Sequence, residues 1–147
     1  MNKIIHIILI SIISLTVISC AKKSDSSSTT SSGLFVVVGD SGTILTSSDG
    51  TTWTSRTSGT SENLYGITYG NSTFVVAGDN DSGSVGTILT SSDGITWVSR
   101  TSGTTNDLWD VNYGNNTFVA SDSTGGIITS SDGITWTSRT SGVTSGL

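Results

Sequence analysis

The 147-residue sequence predicts an all-β chain in which one four-stranded antiparallel unit is written about three times. A heptapeptide recurs as SSDGTTW at Ser47–Trp53 and as SSDGITW at Ser91–Trp97 and Ser130–Trp136, with tryptophans 44 and 39 residues apart. Short Val-, Ile- and Thr-rich runs flank each copy and are separated by Gly, Asn and Asp, the pattern of strands joined by tight turns. Composition agrees: Ser and Thr exceed a third of the chain and only 12% of residues are charged, a mixture that would fit disorder. However, four Trp, three Tyr, three Phe and many β-branched residues give the chain enough apolar surface to bury.

The second copy shows the unit most fully. Leu64 to Tyr69 is expected as its first strand, Phe74 to Ala77 as the second, Thr87 to Thr90 as the third and Thr96 to Arg100 as the fourth. Turns are expected at Gly70-Asn71, Gly78-Asp79 and Asp93-Gly94. FVVV and TIL are apolar on both faces, as expected of sheets packed between neighbours. Four strands in about 40 residues, repeated at this period, describe the blade of a β-propeller. The units are expected at 33–63, 64–107 and 108–147. Leu64 and Leu108 each lie ten residues before a Phe, whereas ten residues before Phe35 is Asp25, in a polar tract. The first blade is therefore expected to lack its innermost strand. Three blades fall short of the usual four to eight, which leaves a truncated propeller or self-assembly of copies into a ring.

The heptapeptide resembles the Asp-box, or BNR repeat, of sialidases and other bacterial propellers, with one residue fewer between Asp and Gly. In that form it is most similar to Asp-box-like secreted propellers and to the photosystem II assembly-factor group. The resemblance implies a structural turn: Asp49, Asp93 and Asp132 accept backbone hydrogen bonds, Gly50, Gly94 and Gly133 adopt a conformation hostile to a Cβ, and Trp53, Trp97 and Trp136 pack into the blade.

The N-terminus reads as a targeting segment. Lys3 precedes an apolar stretch from Ile4 to Ile18, too short for the roughly 20 residues of a membrane span but suited to a signal peptide. It ends in Val17-Ile18-Ser19-Cys20, which resembles a bacterial lipobox, and Cys20 is the chain's single cysteine. The resemblance implies a signal peptide over 1–19, acylation of Cys20, and a lipid-anchored extracytoplasmic protein of the outer membrane or cell surface. Residues 20–32 would then be the lipidated Cys and a Ser/Thr-rich tether.

The candidates for chemistry are few. Arg56, Arg100 and Arg139 share one repeat position, so they do not form the converging arginine cluster and Tyr/Glu/Asp set of a sialidase, and no catalytic residue is expected. Asp79 and Asp81 lie in an insertion, GDNDSGSVG, that faintly resembles a Ca²⁺ loop but has no closing Glu; a hairpin tip is the simpler expectation, and no cofactor is expected. Trp109 and Asp110 replace Tyr65 and Gly66 of the preceding copy. They offer either an aromatic-acid pair for a sugar ring or a Trp buried as core. From Gly33 onward ten acidic residues face three Arg, which excludes nucleic acid as a partner. The functional expectation is a lipid-anchored binding or scaffolding module with a protein or glycan ligand; the alternative is a degenerate fragment of a sialidase-like glycoside hydrolase or a glycan-binding lectin.

Overall fold

A computed structural model describes residues 17–23, 33–80, 83 and 85–145. Most of the expected signal peptide, the tract 24–32 and Asp81 lie outside the described residues. The described chain consists of twelve strands in three four-stranded antiparallel sheets. Blade 1 contains β1 (Val17–Lys23), β2 (Leu34–Gly39), β3 (Thr43–Ser47) and β4 (Thr54–Arg56). Blade 2 contains β5 (Leu64–Gly70), β6 (Thr73–Gly78), β7 (Thr87–Ser91) and β8 (Val98–Thr101). Blade 3 contains β9 (Leu108–Gly114), β10 (Thr117–Asp122), β11 (Ile127–Ser130) and β12 (Thr137–Arg139). In each, strands neighbouring in sequence are neighbours in the sheet, the meander expected of a propeller blade. Among the described residues no helix is long and apolar enough to cross a membrane.

Local chemistry sets the strand limits. Asn71 and Ser72, like Asn115 and Asn116, both have positive φ, the two-residue hairpin turn whose twist matches its flanking strands. The fourth strand of blade 2 begins at Val98, two residues later than expected, because the N–H of Thr96 is bound by the Asp93 carboxylate and cannot join the ladder.

One expectation is corrected. Blade 1 does not lack its innermost strand: Val17–Lys23 pairs antiparallel with β2, from Val17 opposite Gly39 to Lys23 opposite Leu34. Its register reproduces that of the other blades. Cys20 faces Val37 as Ile67 faces Val76 and Val111 faces Ala120, and Lys22 faces Phe35 as Tyr69 faces Phe74 and Tyr113 faces Phe118. The last pair is alike in kind in all three blades. Tyr69 and Tyr113 lie 4.6 Å from their Phe rings, while the Lys22 ammonium lies 5.0 Å from the Phe35 ring centre. Each inner strand also carries an irregularity at the same place, where Val17 gives way to Ser19, Leu64 to Gly66 and Leu108 to Asp110.

The core lies between blades. Ala21, Val36, Val38 and Ile44 of blade 1 pack on Leu64, Ile67, Phe74, Val76 and Leu89 of blade 2. Val75, Ala77 and Ile88 of blade 2 pack on Leu108, Val111, Phe118, Ala120 and Ile128 of blade 3. Alternate residues of each middle strand therefore serve two different interfaces: Val75 and Ala77 point forward to the next blade, and Phe74 and Val76 point back. This explains why the strands are apolar on both faces. Inner strands approach closely as well. A Cβ on Gly66 would meet the backbone of Asp110 and Val111, and one on Gly70 would meet the Tyr113 ring, so only glycine fits at either place.

Candidate functional site

The three heptapeptides fold identically. The Ser47, Ser91 and Ser130 hydroxyls accept the N–H of Gly50, Gly94 and Gly133, at 2.8 Å in each case, and donate to the Oδ1 of Asp49, Asp93 and Asp132 at 2.9, 2.8 and 2.9 Å. The same Oδ1 accepts two further backbone N–H groups, those of Thr51 and Thr52, Ile95 and Thr96, and Ile134 and Thr135. These donors favour the carboxylate. Asp93 is held at about 2, by Thr96 N–H first and Ile95 N–H second. Asp49 and Asp132 are likewise held below the ordinary range, each by the equivalent pair of N–H groups. Gly50, Gly94 and Gly133 all have φ of 74°, in the left-handed region. All three turn aspartates are therefore engaged in holding backbone.

The tryptophans of the turn differ by blade. Trp97 packs against the core between blades 1 and 2, and Trp136 against that between blades 2 and 3. Trp136 donates Nε1–H to the Gly133 carbonyl at 3.1 Å, whereas the Trp97 Nε1 is buried with no partner among the described residues. Trp53, which has no blade behind it among the described residues, is 38% exposed.

The arginines do not converge. Arg56, Arg100 and Arg139 each donate Nε–H to a threonine on the neighbouring third strand, Thr46, Thr90 and Thr129, at 2.8, 2.9 and 2.9 Å. They are spread along the outer strands, one per blade. A shallow cavity of about 230 Å³ lies at the junction of blades 2 and 3, between Arg100 and Asp132, and it is walled mainly by hydroxyl-bearing residues.

Asp79 is buried and serves the fold. It accepts the Asn63 N–H and Nδ2–H at 2.9 Å each and the Tyr65 hydroxyl at 3.1 Å. Blade 3 repeats the device: Asn106 donates to Asp122, across the same sixteen residues, at 2.9 Å. Burial alone would raise the Asp122 pKa, but Asn106 and the N–H groups of Thr124 and Gly126 outweigh it and hold the carboxyl below its ordinary value. An Asn sixteen residues before each Asp was the available signal for these clasps. Among the described residues no group of three or more His, Cys, Asp or Glu is placed to hold a metal.

Trp109 is not core. It is 49% exposed beside the irregularity of β9, and its neighbour Asp110 is exposed and accepts a hydrogen bond from Asn112 Nδ2 at 2.8 Å. Asp110 and Asn112 face Ser121 and Val119 across the β9–β10 pair, and Val119 is 40% exposed. Blade 3 thus presents a mixed surface with an aromatic, an acid, an amide and an aliphatic group. It combines the sequence-derived pair with exposed apolar area. Cys20 is exposed on β1, and partial burial raises its thiol pKa.

No family model matches the chain, and no curated protein matches it in sequence. Among solved structures it is similar to "YCF48 bound to D1 peptide" at a TM-score of 0.65 and 16% identity, covering 84% of this chain and 39% of that one. It is also similar to "YCF48 from Cyanidioschyzon merolae" at a TM-score of 0.61 and 21% identity, covering 84% of this chain and 37% of that one. The chain therefore spans under two-fifths of the length of either. At these identities the likeness shows fold: this is an incomplete β-propeller of three four-stranded blades.

Proposed function

We propose that the chain is a non-enzymatic scaffolding module that binds a protein segment on the exposed surface of blade 3, and that acylation of Cys20 anchors it at the extracytoplasmic side of the cell envelope. The observation that carries the binding half is the blade 3 surface, where Trp109, Asp110, Asn112 and Val119 offer stacking, charge, amide and aliphatic contact together. One structural neighbour was captured with a peptide, which supports a protein ligand over a glycan. The non-enzymatic half rests on the Asp and Arg side chains, which hold turns and strands instead of converging. The anchor rests on the sequence pattern ending in Cys20; processing before Cys20 would leave Cys20–Lys23 of β1 paired with β2, so the Val17–Ser19 part of that strand belongs to the unprocessed chain.

Binding is tested with an array of extended peptides probed by the full chain and by Trp109→Ala. The expected result is a set of peptides that lose at least tenfold in affinity with the variant; peptides bound equally by both would remove blade 3 from the site. The anchor is tested by labelling cells with a fatty acid. Label is expected on the wild type and absent from Cys20→Ala, and an unlabelled wild type would refute it.

A further inference from the structure

Among the described residues, the two ends of the blade array are uncovered halves of an interface that the chain builds twice within itself. On the forward side, Val36 and Val75 are sealed by the following blade, while their counterpart Val119 is 40% exposed. Ile44 and Ile88 are fully buried, whereas Ile127 is half-buried. Gly70 lies against the Tyr113 ring, but at its counterpart Gly114 a Cβ would meet nothing within 4 Å. On the backward side, Phe74 and Phe118 are fully buried and Phe35 is only half-buried; Leu89 and Ile128 are buried and Leu45 is half-buried. Gly94 and Gly133 are crowded by Val36 and Val75 of the blade behind, and Gly50 meets only its own Phe35.

We propose that a second copy of this chain covers both faces: the forward face of blade 3, through Val119 and Ile127, packs on the backward face of blade 1, through Phe35 and Leu45, of the other copy. The occupant follows from the repeat, since Val119 is the residue that Val36 and Val75 are, and Phe35 the residue that Phe74 and Phe118 are. Charge fits as well. Asp110 stands on the inner strand of the forward face and Lys22 on the inner strand of the backward face. Where Asp110 now stands, blade 1 has Ser19, whose hydroxyl accepts the N–H of Ile67 in the next blade at 3.3 Å. A carboxylate at that position is an acceptor for the equivalent N–H, that of Cys20, in the second copy.

Stoichiometry follows from blade count. Two sets of the three described blades bring six, within the four to eight that close a ring, whereas three sets would bring nine. The product is a two-fold dimer with two identical head-to-tail junctions. Cys20 occupies the position where Ile67 and Val111 are buried between blades, so an acyl group there and a second copy exclude one another. The junction therefore belongs to the unacylated chain. It rests on the propeller reading but not on the proposed anchor.

The test uses the full chain carrying Cys20→Ala, which cannot be acylated, in mild detergent, with mass measured by light scattering after size exclusion. A mass of two copies is expected, falling to one copy in Val119→Lys and in Leu45→Lys. Mixing these two variants is expected to restore a two-copy species, because each retains the face the other has lost; that recovery also shows that both variants fold. A parent that stays at one copy at every concentration, a variant that stays at two, or a mixture that does not recover would overturn the proposal. The outcome is independent of fatty-acid labelling; because the junction and the peptide surface share Val119 and Asp110, peptide binding belongs to the one-copy form and is expected to compete with the junction.

Discussion

Val75 and Val119 occupy the same position of the same repeat, preceded by the same Phe, yet one is sealed and the other is two-fifths exposed. The neighbouring blade makes the difference. Val75 has blade 3 in front of it and Val119 has none among the described residues. The same contrast separates Phe74 from Phe35 and Trp97 from Trp53 on the opposite side. A blade of this kind does not contain its own core; it contributes half of each of two cores, and burial is decided by neighbours.

Substitutions that probe this contrast should separate by position and not by residue type. In the one-copy Val119→Lys background, Phe118→Ala removes a fully buried ring between blades 2 and 3 and should cost about 3–5 kcal/mol, whereas Phe35→Ala, at the end left uncovered there, should cost less than half as much; urea denaturation reads both. Equal losses would mean that the ends are not uncovered. Next in size is the turn. Ser91→Ala strands the buried Gly94 N–H and should cost about 1–3 kcal/mol, with the same change at Ser130 behaving alike because its bonds are the same. Smallest is Trp109→Ala, which removes an exposed side chain and should shift stability by no more than about 0.5 kcal/mol while acting on binding.

Acid offers a further separation. The folded-state pKa values of the turn aspartates are depressed, so their contribution is present above the unfolded aspartate pKa and is lost as pH falls through the folded one. For Asp93 that window runs from roughly pH 4 to about 2. Stability should therefore decline across this range in melts monitored by tryptophan fluorescence, and the decline should be shallower in Asp93→Asn.

The blades are legible in the sequence because the unit is written repeatedly: SSDG-x-TW places each turn, and the apolar FVVA and TIL runs place the middle strands. The inner strand of blade 1 was not legible for two physical reasons. VISCAKK shares no residue pattern with LYGITYG, and the two-residue turn that brings Phe74 after Tyr69 is replaced by the long stretch between Lys23 and Leu34, so counting back from Phe35 lands in the wrong place. Cross-strand register, not sequence likeness, makes Lys22 the counterpart of Tyr69. Trp109 misled in another way: its type suggests core, but the irregularity at Leu108/Asp110 takes it out of the ladder and leaves it exposed. The Asp79 and Asp122 clasps were hidden because their Asn partners lie in the preceding interblade segment.

Val17–Lys23 completes blade 1 as Leu64–Gly70 and Leu108–Gly114 complete the others, and the shared architecture of the three blades depends on that equivalence. Amide hydrogen exchange, read by mass spectrometry on peptides covering these three strands in the full Cys20→Ala chain, measures it directly. Slowed exchange in all three, with Val17–Lys23 protected well beyond an unstructured chain, is the predicted result. Exchange of Val17–Lys23 at the unstructured rate while the other two remain protected would contradict it.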